Sequence, residues 1–305
     1  MQPHTPAISD KILVLGAGEL GMAVLRELAV RPTVQVSVML RPTALDAGSE
    51  SKRRLLEELH TLNIEVVFAD VADSEENLAA LFSGFDTLVS CLGFAAGAGI
   101  QLKLTRAALQ SNLKRYLPWQ FGVDYDVIGR GSPQNLFDEQ LDVRDLLRAQ
   151  SRVQWLIIST GMFTSFLFEP AFGVVDLSQN VVRALGSWDT AVTVTAPEDI
   201  GRLTASIILE PQMANQVVFI AGDTLTYGQL ADTVDRLLDR KVERTEWTLP
   251  ALKADLALAP DDQMRKYRTV FAEGKGVAWP KADSYNAARQ IETITVEKWI
   301  GQHLL

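Results

Sequence analysis

Apolar and polar positions along this chain repeat with two periods that take turns. KILVLG (11–16) is a short apolar run between polar residues, and ELGMAVLRELAV (19–30) follows with apolar residues at helical spacing. VQVSVML (34–40) alternates as a strand does, and ESKRRLLEELHTL (50–62) returns to the helical period. The exchange continues through IEVVFAD (64–70), SEENLAALF (74–82), DTLVSCLG (86–93), GIQLKLTRAALQSNL (99–113), KRYLPWQFG (114–122) and VQWLIIST (153–160). Strand alternating with helix predicts right-handed crossovers and a mostly parallel sheet with helices on both faces. The expected fold is α/β: a doubly wound, Rossmann-type sheet of six strands.

Beyond residue 160 the rhythm loosens. TAPEDIGRLTASIIL (195–209) carries acids in its first helical turn, VVFIAG (217–222) is a short apolar run, and Thr226 and Gln229 have capping-box spacing at the head of TYGQLADTVDRLL. The remainder is rich in Trp, Tyr and charge. The expected organisation is a nucleotide-binding domain over 1–160, to which 195–222 returns, and a substrate-binding part over 161–305. That second part is read as smaller, interleaved α/β, mainly helical, and closing over the sheet.

Composition narrows the partners. The 305 residues are 47% hydrophobic and 22% charged, with a net charge of -9, which disfavours nucleic acid because binding it rests on Lys and Arg neutralising phosphates. An anionic membrane surface is disfavoured for the same reason, and no apolar run reaches the roughly 18 residues of a membrane span. A single cysteine, Cys91, leaves no intrachain disulfide and suits a reducing compartment. His4, His60 and His303 have no metal-ligand spacing, so no metal is expected. A cytoplasmic protein, monomer or homodimer, acting on a small molecule is the expectation.

GAGELG (16–21) has the G-x-G-x-x-G spacing and falls between a strand and a helix, the context that gives the motif meaning. Gly16 permits the turn, Gly18 lets a pyrophosphate approach the backbone, and Gly21 allows helix and strand to pack closely. The helix start, with Glu19 and Leu20, offers N–H donors to phosphate. At the end of the second strand an NAD enzyme usually carries Asp or Glu for the ribose 2′-hydroxyl. Here stand Met39, Leu40 and Arg41, with Lys52, Arg53 and Arg54 further on. Arg41 suits a 2′-phosphate, which points to NADP(H). Lys52 is a second candidate, the alternative for 52–54 being a solvated helix face. Asp70, after the third strand, and Cys91, Leu92 and Gly93, after the fourth, lie along the expected adenine–ribose path. Cys91 also reads as a small buried apolar residue.

At KRYLPWQFGVDYD (114–126) the chain resembles the isoflavone-reductase-like and NmrA-like group of atypical short-chain dehydrogenases, which includes the phenylcoumaran benzylic ether reductases. Members carry a similar K-R-F-x-P-S-E-F-G-x-D segment, and the resemblance extends through FDEQLDVRD, WLIISTGMF and TAPEDIG. It implies NADPH on a Rossmann-type domain and an aromatic substrate under a C-terminal domain. It also implies that Gly18, Gly21 and Arg41 contact the cofactor, with Phe121 and Gly122 near the nicotinamide. Three departures stand out. Leu15 occupies the first position of the family's G-x-x-G-x-x-G. Trp119-Gln120 replaces Ser-Glu. Gln140 replaces the lysine that the family's reductases use in catalysis.

Gln140 can hydrogen-bond a ribose hydroxyl or substrate oxygen but has no titratable proton. The ordinary Y-x-x-x-K relay is missing too: Gln120, Gly129, Ala231, Phe271 and Arg289 follow the five tyrosines at that spacing. Tyr125 is the candidate proton donor, against a loop tyrosine packed at the sheet edge. Asp138 and Glu139 are candidate acids, against residues that merely suit a helix start. Trp119, Tyr125, Met162, Phe163 and Phe166 are candidate substrate contacts, the alternative for 162–168 being core packing. The leading expectation is an NADPH-dependent reductase of an aromatic or bulky small molecule. The alternatives are an NADP(H)-binding regulatory sensor and an enzyme of non-redox chemistry that keeps NADP as part of its pocket.

Overall fold

The computed structural model describes residues 10–45 and 49–305. Two compact units emerge. One comprises the chain up to Trp119 with Asp142–Ile157 and Ile200–Val217; the other comprises Gln120–Leu141, Ile158–Asp199 and Val218–Leu305.

In chain order the first elements are β1 (Asp10–Leu15), α1 (Glu19–Ala29), β2 (Val34–Leu40), α2 (Glu50–Thr61), β3 (Glu65–Phe68), α3 (Glu75–Phe82) and β4 (Thr87–Ser90). They continue through α4 (Ile100–Gln110), β5 (Arg115–Leu117), α5 (Tyr125–Ile128), α6 (Leu136–Arg148) and β6 (Gln154–Ser159). Then come β7 (Met162–Phe163), β8 (Val175–Asp176), β9 (Val181–Leu185), β10 (Ala191–Thr195), α7 (Pro197–Ile208) and β11 (Gln216–Phe219). The last are β12 (Asp223–Thr226), α8 (Tyr227–Leu238), β13 (Glu243–Trp247), α9 (Leu249–Leu258), α10 (Gln263–Ala272), α11 (Tyr285–Ala288) and α12 (Val296–His303).

One sheet runs β3-β2-β1-β4-β5-β6-β11. Ile12 of β1 lies in parallel register with Val36 of β2 and Thr87 of β4. Covered on both faces, a central strand must be apolar throughout, and Ile12 to Leu15 are wholly buried. Leu13 and Leu15 join Phe82, Leu88, Leu104, Tyr116, Leu147 and Ile157 in the core. The sheet has seven strands, not six. The extra one, β11, reads in sequence only as a short apolar run, and of its four residues Val218 alone is buried. Asn215 fixes it in place: its backbone N–H donates to the Trp155 carbonyl (2.6 Å) and its side-chain oxygen accepts from the Trp155 N–H (3.1 Å).

The second unit is α/β, as expected, with helices predominating. It holds two small sheets, β12-β10-β7 and β13-β9-β8. Strands as short as β7 and β8 present too few residues for a two-residue period to register. The capping box at α8 forms as its spacing predicts, with Gln229 N–H donating to Thr226 Oγ1 (3.1 Å) and Thr226 N–H to Gln229 Oε1 (2.8 Å). Among the described residues no helix is long and apolar enough to cross a membrane.

Candidate active site

The glycine turn between β1 and α1 is built as its spacing demands. Gly16 holds φ +88° and donates its N–H to the Met39 carbonyl at the end of β2 (3.2 Å). A Cβ on Gly21 would lie 2.2 Å from the Gly16 carbonyl oxygen, so α1 approaches the turn only because Gly21 lacks one. Gly18 differs: a Cβ there would meet nothing within 4 Å. Gly18 is also the N-cap of α1 and supplies no capping side chain. The start of α1 is therefore open at Gly18, where a diphosphate can approach the backbone and its first-turn N–H donors. This cradle fits the pyrophosphate of a dinucleotide.

Around the turn, the Leu92 side chain crowds Gly16, and its carbonyl accepts from Gln101 Nε2 (2.7 Å). Cys91 donates its N–H to the Leu15 carbonyl (3.0 Å), and burial pushes its thiol pKa up, so the sulfur stays protonated and apolar in character. Gly93 lies against Trp119, whose indole would be 3.1 Å from a Cβ there and which meets Phe94 edge to face at 4.5 Å. Trp119 therefore covers Gly93 within this unit. Asp70 spends one carboxylate oxygen on the Ala72 N–H (2.9 Å), shaping a local turn.

The cations after β2 separate by partner. Lys52 donates to the Thr43 carbonyl (2.8 Å), and Arg54 pairs with Glu50 one helical turn away. Arg41, exposed at the end of β2, makes no hydrogen bond or ion pair among the described residues.

In the second unit, Phe121 is buried and Gly122 accepts at its carbonyl from the Thr160 (2.9 Å) and Gly161 (3.0 Å) N–H groups. Tyr125, 2% exposed, lays its hydroxyl beside Gly122, 2.6 Å from where a Cβ would stand. Asp124 begins the short helix α5 by accepting from the Val127 N–H (3.3 Å). Tyr125 meets Phe137 edge to face at 5.0 Å; Phe137 meets Tyr267 at 6.0 Å, and Tyr267 meets Phe166 at 5.9 Å. Burial raises the Tyr267 phenol pKa. The structure thus gathers Tyr125 and Phe166 into one row of rings with Phe137 and Tyr267, two residues that the sequence reading passes over. Met162 is buried on β7, in register with Val194, and Phe163 is half-buried.

Gln140 lies wholly buried on α6, and neither Oε1 nor Nε2 has a hydrogen-bond partner among the described residues. Its backbone carbonyl accepts from Gln120 Nε2 (2.8 Å). Two buried glutamines therefore meet, the side chain of Gln120 at the backbone of Gln140. An amide with both ends unsatisfied costs roughly 1–3 kcal/mol per buried group. A partner with both acceptor and donor character, such as a hydroxyl, would satisfy it. Asp138 accepts from the Gly131 N–H (3.0 Å), and both it and Glu139 are half-buried in the first turn of α6. Arg144, one turn beyond Gln140, is wholly buried, which the sequence spacing does not foretell. No group of three His, Cys, Asp or Glu able to hold a metal occurs among the described residues.

The model of the NmrA-like family matches residues 8–300 of this chain. An NmrA-like family domain-containing oxidoreductase of Gibberella moniliformis is 46% identical over 298 residues, covering 96% of this chain and 98% of that protein. A crystal structure of an isoflavone reductase superposes with a TM-score of 0.81 at 19% identity, covering 96% of this chain and 99% of the other. The binary complex of leucoanthocyanidin reductase with NADPH from Vitis vinifera superposes with a TM-score of 0.80 at 20% identity, covering 96% and 98%.

Proposed function

The chain belongs to the NmrA-like family, and from that premise we propose that it is an NADP(H)-dependent oxidoreductase acting on an aromatic or bulky small molecule. The observation that carries this reading is the glycine turn, in which Gly18 leaves the uncapped start of α1 bare toward a diphosphate. The oxidoreductase of Gibberella moniliformis and the NADPH complex of the Vitis vinifera reductase support it.

When bound, the nicotinamide supplies a hydride. This chain's residues do the rest. Gly16, Gly18 and Gly21 with the first-turn amides of α1 hold the diphosphate, Leu92 and Gly93 border the adenosine, and Arg41 pairs with the 2′-phosphate. Tyr125, whose phenol lies beside Gly122, gives the proton. Gln140 orients a hydroxyl or carbonyl oxygen and transfers no proton. Met162, Phe163 and Phe166 give the substrate apolar walls.

Arg41→Ala is expected to weaken NADPH binding about tenfold or more and leave NADH nearly unchanged, since ~1.4 kcal/mol is one decade. Calorimetric titration of both nucleotides decides it, and equal losses would remove the 2′-phosphate assignment. Gln140→Met replaces an unsatisfied amide with an apolar chain of similar length. It is expected to raise stability by about 1–3 kcal/mol in denaturant unfolding of the ligand-free protein. Turnover should fall modestly, because a positioning hydrogen bond is lost and no acid or base with it. A destabilised variant would mean that the amide is satisfied in solution.

One observation favours a second reading. Gln140 is wholly buried with its amide unsatisfied among the described residues, and it brings no titratable proton, so a protein that binds NADP(H) without oxidising it, as a sensor or in non-redox catalysis, also accounts for that position. NADPH bound tightly, yet unconsumed with every member of an aromatic carbonyl and benzylic ether panel, would select this alternative.

A further inference from the structure

We propose that Lys266 recognises an anionic group on the substrate, and that the substrates are aromatic carboxylates. The inference rests on the reading of this unit as the one that takes an aromatic small molecule. Buried charged side chains in proteins are almost always paired. Among the described residues four are buried: Arg144, Asp199, Asp235 and Lys266. Asp235 is paired by Lys241 (3.0 Å) and Arg244 (2.7 Å), and Asp199 accepts from the Ile294 N–H (2.5 Å). Arg144 also has interactions of its own.

Lys266 stands apart. It is 8% exposed, and its ammonium donates to one neutral acceptor, Asn135 Oδ1, at 2.6 Å. No ion pair to it occurs among the described residues. An ammonium has three donors, so one amide oxygen leaves most of its charge unanswered. Its surroundings add to the imbalance: Asn135 immediately precedes α6, whose N-terminal end carries the positive pole of the helix dipole. Asp138 and Glu139 in the first turn of α6 make no ion pair with Lys266.

Two successive residues of α10 face one short stretch at the start of α6. Lys266 meets Asn135, and Tyr267 meets Phe137. Phe166 flanks Tyr267 on a further side at 5.9 Å. An uncompensated ammonium and a row of aromatic rings therefore adjoin through the same pair of helices. A carboxylate carried on an aromatic ring is the ligand that answers both, because it gives Lys266 a charge-assisted bond and the rings an apolar face.

The test compares acids with their amides. Benzoate, cinnamate, benzamide and cinnamamide are titrated calorimetrically into the wild type, Lys266→Met and Lys266→Arg. Wild type should prefer at least one acid over its amide by about tenfold, with the preference falling as salt rises. Lys266→Met should abolish the preference and Lys266→Arg retain most of it. Wild type without preference for either acid would overturn the proposal, as expected of an ammonium that merely reaches water beside Asn135; so would a preference that survives in Lys266→Met. If Lys266→Met does not fold, Lys266→Gln, which keeps a donor for Asn135, supplies the same comparison. NADPH titration is run separately. Loss of NADPH binding by the wild type would defeat the oxidoreductase reading, while the acid–amide comparison would still decide the role of Lys266.

Discussion

Tyr125→Phe is expected to lower turnover by ~10²–10⁴-fold, the range of a lost acid–base catalyst. The substitution removes one oxygen and leaves the ring in its edge-to-face contact with Phe137 at 5.0 Å. Folding should change little, because a single hydrogen bond contributes about 1 kcal/mol net. NADPH affinity should hold, and so should KM, because the hydroxyl acts on the proton transferred during the reaction. Steady-state kinetics beside a thermal unfolding curve separate these effects. Turnover near wild type would mean that Tyr125 only packs beside Gly122, and the proton would have to come from water or another side chain.

The second large effect contrasts two glycines three residues apart. Gly21→Ala should cost both stability and NADPH binding, because its Cβ would fall 2.2 Å from a backbone oxygen and 2.9 Å from the carbon bearing it. Backbone does not yield as a side chain tip would, so a loss of at least the ~1–3 kcal/mol of an overpacked core is expected. Gly18→Val should behave differently. Nothing lies within 4 Å of its Cβ, so the unfolding midpoint should stay near wild type. NADPH binding should nonetheless fall a hundredfold or more, since the new side chain fills the approach to the α1 amides. If Gly18→Val binds NADPH normally, the diphosphate does not sit on this turn.

These glycines were readable in advance because their roles are local. A turn at Gly16, a bare N-cap at Gly18 and a close approach at Gly21 all follow from spacing between a strand and a helix. The same holds for β2, whose alternation coincides with Val34–Leu40, and for the Thr226–Gln229 capping box. What sequence withheld was set by distant partners. Lys266 and Asn135 lie 131 positions apart, and nothing in QMRKYRTVFA marks its lysine as buried. Tyr267 reads as one of five tyrosines until its contacts with Phe137 and Phe166 are seen. Strand β11 reads only as a short apolar run because it lies beyond residue 160, where strand and helix no longer alternate regularly, and Val218 alone of its residues is buried. Gln120 and Gln140 were each legible as departures from the family segment, and only the fold brings the side chain of one to the backbone of the other.

That contact sets what a lysine at position 140 would require. Gln140 is 0% exposed, so Gln140→Lys alone would bury an ammonium beside another amide, a costly arrangement without a counter-charge. Gln120→Glu made together with it places a carboxylate next to position 140 as that counter-charge.

The proposed chemistry is hydride transfer from NADPH held on the Gly16–Gly21 turn. Its most direct test is isotopic: NADPH deuterated at the nicotinamide C4 is incubated with the wild type and each substrate of an aromatic panel that includes carboxylates. Mass spectrometry of the products should find one deuterium from one face of the nicotinamide in at least one product, and none with Gly18→Val. NADPH that binds the wild type but delivers no deuterium to any product would contradict the account.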